Sequence, residues 1–324
     1  MSKHPQIDLS KVKSTSIESR KSKVHVEDFA QVVEPEAWFD KLDQVLPNIL
    51  AGKEFCEIVG LVLAAVKGSK PVILMMGAHV IKCGLADLIV DLMRRGVFSA
   101  VAMNGAGAIH DVEIAMWGHT SEDVAESLVD GSFGMAAETA DLINGAIKEA
   151  PVDLGFGECV GQRLCQLGPP HEDHSILATG YRHSIPVTVH VALGTDVIHQ
   201  HPSADGAAIG RLSYSDFKIF THCVSQLSGG GVVLNFGSAV FLPELFLKSL
   251  SIVRNIGGKM TGFTTVDFDM IRHYRSTMNL VQRPELVGGR GLQMIGHHEI
   301  MIPLLATAIR FGLTKDGGQG ERAR

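Results

Sequence analysis

The sequence predicts an α/β protein, a single domain that is doubly wound, with helices on both faces of a mostly parallel sheet. Three observations predict it. Residues 71–103 read as strand, helix and strand within about 35 residues, and such a βαβ unit makes its two strands parallel. The alternation then recurs to about residue 310. No shift of composition and no low-complexity linker interrupts it.

The elements follow in order. Residues 1–34 form a polar arm in which Lys3, Lys11, Lys13, Arg20, Lys21 and Lys23 are interrupted by Asp8, Glu18, Glu27 and Asp28. Mixed charge of this kind marks a solvated arm rather than a binding segment. The domain is expected over 35–312. Apolar residues at helical spacing over 36–65 predict two helices, divided at Pro47 and Gly52. Residues 71–76 are continuously apolar, as in a buried strand. Residues 80–95 have helical periodicity, with Arg94 and Arg95 in the last turn and Gly96 as its stop. Strands are expected at 98–103, 185–191, 231–235 and 260–266. Helices are expected at 123–148, 213–227, 242–255 and 299–310, followed by a flexible tail over 313–324.

The bulk properties exclude several classes. A net charge of −6 opposes a broad grip on nucleic acid, which needs clustered cations. Five cysteines without paired metal spacing, and no secretory leader, suit reduced thiols in the cytoplasm. No apolar run approaches the ~20 residues of a membrane span. The expectation is a soluble, cytoplasmic protein with a small-molecule ligand.

In open parallel sheets ligands settle beyond the carboxyl ends of strands, where helix N-termini offer free N–H groups. Gly77-Ala-His-Val-Ile-Lys-Cys-Gly84 and Asn104-Gly-Ala-Gly-Ala-Ile-His-Asp111 occupy such places. A third glycine segment, Gly229-Gly-Gly231, precedes a strand instead. None fits the G-x-G-x-x-G fingerprint with its acidic residue about 20 positions on. Alone they are equally compatible with tight βα turns.

These two segments resemble the first NAD-contacting half of deoxyhypusine synthase, and are similar to the dehydrogenase-like half of archaeal-type ornithine cyclodeaminases. Later segments agree in order: Ala204-Asp-Gly-Ala-Ala-Ile-Gly210, Leu227-Ser-Gly-Gly-Gly-Val-Val233, Phe263-Thr-Thr-Val-Asp267 and Ile302-Pro-Leu-Leu305. The resemblance spans roughly residues 70 to 310. It implies NAD as cofactor, held by Ala78, His79, Asn104, Gly105, Ala106, Asp205, Gly229, Gly230, Thr264 and Thr265. It also implies a homotetramer or other homo-oligomer. Asp205 can accept both hydroxyls of a ribose, or it can close an Asx turn before Gly206.

The sequence also departs from that family. The stretch that carries the family's catalytic lysine, here 267–302, holds Arg272, Arg275, Arg283 and Arg290 and no lysine. A guanidinium stays protonated and forms no Schiff base. His110 and Arg211 fall where the family has acidic groups for a polyamine. Arg211 would repel a cationic substrate, and with Arg275 and Arg283 could pair an acidic one. A solvated, glycine-rich loop is the alternative for that segment.

Histidines are the remaining chemistry. His199 and His201, near Asp196, have a spacing that an extended segment could use for a metal. Proton transfer by a histidine such as His110, His199 or His298 is preferred to it, with no metal expected. Asp111, beside His110, joins His110 and His298 as a catalytic candidate. The expected reaction is NAD-dependent oxidation of a small amine or amino acid at the carbon next to nitrogen, followed by hydrolysis, cyclisation or transfer. Two alternatives stay open: aminobutyl transfer through another lysine, for example Lys82, and a non-catalytic NAD-binding sensor or scaffold.

Overall fold

The computed structural model describes residues 10, 12–26 and 46–318. The predicted helix over 36–45, and residues 319–324 of the tail, lie outside them. In chain order the elements that matter are β1 (Ser22–His25), α1 (Leu50–Lys67), β2 (Val72–Met76), α2 (His79–Lys82), α3 (Ala86–Arg94), β3 (Ala100–Asn104), α4 (Gly105–Trp117) and β4 (His119–Glu122). Next come α5 (Val124–Leu128), α6 (Ala137–Glu149), α7 (Phe156–Leu167), α8 (Ile176–His183), β5 (Val187–His190), α9 (Gly206–Ser225), β6 (Val232–Phe236) and α10 (Phe241–Asn255). The chain continues through β7 (Thr264–Asp269), α11 (Tyr274–Ser276), a π turn (Thr277–Gln282), α12 (Arg283–Leu286), β8 (Arg290–Ile295) and α13 (His298–Gly318).

Six strands pair in the order β5-β3-β2-β6-β7-β8, every neighbour parallel. Numbered within this sheet alone, the order is 3-2-1-4-5-6, that of a dinucleotide-binding α/β fold. The winding reverses between β2 and β6, whose last residues, Met76 and Phe236, are register partners. The central strand β2 is wholly apolar and fully buried because both faces of the sheet are covered. Ile73, Met75, Ala102 and Val233 pack on one side with Phe220 of α9 and Phe246 of α10. Val72, Leu74, Met76 and Val101 pack on the other with Ile58 of α1, Ile89 of α3, Val112 of α4 and Ile302 of α13. Each such fully buried aliphatic side chain contributes about 1.5–3 kcal/mol.

Several boundaries differ from the sequence expectation. The helix expected over 123–148 is two, α5 and α6, because Gly131 and Gly134 turn the chain between them at φ +79° and +76°. The helix expected from 213 starts at Gly206, where the Asp205 side chain caps the amides of Ala207 and Ala208. The strand expected over 260–266 lies at 264–269. The last helix continues to Gly318, so the first half of the expected tail is helical. Helices α7 and α8 and strand β8 were not expected at all.

The described part of the polar arm is docked rather than solvated. β1 pairs antiparallel with β4, Ile17 is fully buried, and Arg20 grips Glu113 of α4 with two bonds of 3.0 and 2.9 Å. Burial would raise the Glu113 carboxyl, but its hydrogen bonds and the Arg20 guanidinium hold it down at about 2.

Candidate functional site

The carboxyl ends of the strands converge on the switch point between β2 and β6. Gly77 N–H donates to Phe236 O, and Gly237 N–H to Phe268 O, each at 2.9 Å. Gly237 is left-handed, at φ +69°, and a Cβ there would meet His298 Cε1 at 2.4 Å. Only glycine lets the β6 turn pass this ring. His298 is 1% exposed, and its Nε2 faces Phe268 O at 3.3 Å while Nδ1 has no partner. His79 stacks obliquely on it at 5.9 Å between centroids. Partial burial and then the His298 charge lower the His79 pKa. At the end of β7, Asp269 Oδ1 accepts Met270 N–H at 2.7 Å. Its buried Oδ2 has no hydrogen bond, and His273 Nε2 stands 3.7 Å away. Buried polar atoms without partners ask for a ligand or water.

A cavity of about 230 Å³ lies beside this edge, lined by Lys82, Ala106, His110, Ser121, Glu122 and Asp196 among others. His110 Nδ1 meets Thr120 Oγ1 at 2.6 Å, and Thr120 donates its one hydroxyl proton to Glu113 Oε2. Thr120 therefore accepts from His110 Nδ1–H, which leaves the Nε2 of the neutral ring as a free base. Thr139 and Arg20 fill the remaining positions on Glu113. Also lining the cavity, the Asp196 carboxylate lies against the start of α4, where a Cβ on Gly105 would fall 2.0 Å from its Oδ2. Burial raises its pKa to about 6, although the Ala106 N–H opposes this.

The structure brings together Ala78, His79, Asn104, Gly105, Ala106 and His298 on this edge, with His110 lining the adjacent cavity. Asp205 lies beyond β5 on the same edge, where its carboxylate caps α9. The other expected residues are placed elsewhere. Gly229 and Gly230 precede β6, bonded to Thr261 O and Gly262 O. Thr264 and Thr265 begin β7, and Thr265 donates to Leu280 O. These four lie at the amino edge, about 16 Å of strand from the switch point. Asp111 is not available for proton transfer. It is 1% exposed, and accepts Ser175 Oγ–H at 2.5 Å, Ile176 N–H at 2.7 Å and Leu177 N–H at 3.2 Å, holding the start of α8. Arg211 closes the end of α6 by donating to Pro151 O and Ala150 O. Arg275 pairs with Glu244 at 2.8 Å, and Arg283 donates to Asn279.

His199 and His201 do not form a metal pair. They lie on and after a 3-10 turn rather than a strand. His201 meets Ser14 and Gly134 O, and His199 Nδ1 accepts from Gly194 and Asp196 amides. No group of three or more metal-ligating side chains occurs among the described residues, and no described helix is long and apolar enough to cross a membrane. Sequence reasoning missed Gly237, Asp269 and Asp196. The glycine directly after an apolar run, Gly237, was a usable signal for the first.

No protein-family model matches the chain, and no curated protein does. Solved structures do. AgrE in its ternary complex with ornithine and NAD+ superimposes with a TM-score of 0.53 at 15% identity, over 88% of this chain and 35% of that one. The chain thus spans about a third of the AgrE chain. A conserved putative LOR/SDH protein from Methanococcus maripaludis S2 gives 0.53 at 14% identity, over 90% and 75%. A putative deoxyhypusine synthase from Entamoeba histolytica gives 0.49 at 9% identity, over 79% and 87%. What AgrE and the Methanococcus protein share with this chain is the fold.

Proposed function

We propose that this protein is a nicotinamide-dependent enzyme that oxidises a small amine or amino acid at the carbon next to nitrogen, with His110 receiving the proton. The single observation that carries this is the cavity beside the switch point, where the hydrogen-bond chain to Glu113 fixes the proton of the neutral His110 ring on Nδ1. The residues fit a dinucleotide at the crevice: Asp269 Oδ2 suits a ribose hydroxyl, His298 Nδ1 a second polar group, and Ala78 and His79 supply the adjoining turn. NAD would supply the two-electron acceptor there. The cavity itself, about 230 Å³, suits a small substrate rather than a whole dinucleotide.

The protein's own part is to bind and orient. Glu113 and Thr120 fix the tautomer of the neutral His110 ring beside the cavity, so that an ammonium bound there can lose its proton to Nε2 before its carbon is oxidised. Fold likeness to AgrE, whose complex holds ornithine and NAD+, supports this reading. Lys82 on the cavity wall favours a second one, in which its amine captures the imine product and transfers it.

Mass spectrometry of the native protein, followed by NADH absorbance with a panel of amines and amino acids, tests the proposal. The expected result is NAD retention and turnover that His110→Ala abolishes. NAD retention with no turnover on any amine would leave a sensor as the better reading. Mass of a Lys82 adduct trapped by borohydride would establish the transfer reading.

A further inference from the structure

The cavity beside α4 has two unmatched charges on its walls. Lys82 lines it, is exposed and has no hydrogen-bond or ion-pair partner among the described residues. Asp196 also lines it, its side chain 7% exposed, with Oδ2 buried and without a hydrogen bond. The other ionic groups of the cavity are already matched. Arg20 is held by Glu113 and faces Glu122 at 3.8 Å, and Glu122 accepts Gly134 N–H at 2.9 Å. Glu113 is filled by Arg20, Thr120 and Thr139.

Behind Asp196 stands His199, whose side chain is also 7% exposed. Its Nδ1 accepts two backbone N–H groups, so the ring must carry its proton on Nε2. That N–H has no partner and lies 4.0 Å from Asp196 Oδ2. The ring thus presents a donor toward a carboxylate that also faces the N-terminus of a thirteen-residue helix. Both favour the ionised acid. Asp196 is an anchored anion open on its cavity side.

We propose that this cavity recognises a small α-amino acid, its ammonium on Asp196 and its carboxylate on Lys82, with His199 positioning Asp196. The proposal rests on the preceding reading only in taking the cavity for the substrate site. The charges decide the class. A polyamine needs an anion at each end, whereas beside Asp196 the unmatched lining groups are Lys82 and His110. A dicarboxylate or a phosphate would meet Asp196 as a like charge.

Calorimetry on the full chain, with L-ornithine and L-alanine against putrescine and succinate, tests this without reference to turnover. The amino acids should bind and the other two should bind at least tenfold more weakly. Asp196→Asn should weaken L-alanine at least tenfold. Lys82→Gln should do the same for L-alanine while narrowing its advantage over putrescine, and this exposed substitution keeps the test open should Asp196→Asn not fold. His199→Gln should weaken binding more as pH falls toward 6 than at pH 8, a profile a merely structural role would not give. Equal binding of putrescine, no amino-acid binding, or unchanged affinity in both Asp196→Asn and Lys82→Gln overturns the proposal. Amino-acid binding without NADH formation would sink the oxidation reading and leave this one standing.

Discussion

The two edges of the central sheet treat polar atoms differently. At the amino edge nearly everything is spent: Gly229 and Gly230 bond across to Thr261 and Gly262, and Thr265 to Leu280 O. A larger cavity, about 560 Å³ between α7, α8 and the start of β5, offers one deeply buried carboxylate. That group, Asp216, accepts Gly157 and Val189 amides. At the carboxyl edge Asp269 Oδ2, His298 Nδ1, Asp196 Oδ2 and His199 Nε2 are all buried and unpartnered. The two edges are thus distinguished by unfinished hydrogen bonding rather than by cavity size. The contrast even divides neighbours on one helix, since Asp111 is saturated and His110 has a free nitrogen.

The comparison can be broken by substitution. Asp111→Ala strips three donors of their acceptor and should cost about 3–5 kcal/mol in urea denaturation. A loss under 1 kcal/mol would mean that saturation at Asp111 is unimportant to the fold. Arg20→Ala leaves Glu113 a buried, less compensated carboxylate, and should cost about 3 kcal/mol. Because the folded Glu113 pKa lies near 2, below its ordinary 4.5, its contribution is full above pH 4.5 and fades as pH falls toward 2. In Arg20→Ala that acid sensitivity should shrink, as followed by circular dichroism.

Asp196→Asn should act in the opposite direction. Its folded pKa is raised to about 6, so ionisation costs stability once pH climbs past the ordinary 3.8. The variant should gain on the order of 1 kcal/mol at pH 7–8 and nothing at pH 4. A loss at pH 7 would mean that Asp196 serves the fold, as Asp111 does. The smallest effect is expected at the amino edge. Thr264→Ala should leave NAD affinity unchanged in a fluorescence titration, and a tenfold loss would return that residue to the nucleotide site.

Much of the fold was legible because β2, α3 and β3 combine continuous apolar runs with a 3.6 period and glycine stops. Strand β8 was not, because at the sheet's edge only Leu292 and Met294 are buried and the run begins Arg290-Gly. Helices α7 and α8 were hidden for a different reason. Their tight faces are glycine: a Cβ on Gly157 would fall 1.8 Å from Val187 O, and one on Gly180 2.3 Å from Val187 Cγ2. Small residues there dilute the apolar period while making the packing possible. In the site, His79, His110 and His298 were visible as residues. Asp196 was not distinguishable from a loop aspartate, since only the fold places it on α4. The glycine triplet at 229–231 drew attention to the wrong end of β6.

The clasp between Arg20 and Glu113 has one more consequence. Were the segment that carries Arg20 and β1 peeled away, Glu113 would be drawn to take up a proton and could then offer a hydrogen back to Thr120. Thr120 would be free to donate to His110 Nδ1, and the ring's proton would move to the cavity side. The ring would then face the cavity with a hydrogen-bond donor in place of a base. Cleavage or masking of the amino-terminal segment is thus expected to silence the chemistry of α4 from a distance, through the sense of two hydrogen bonds.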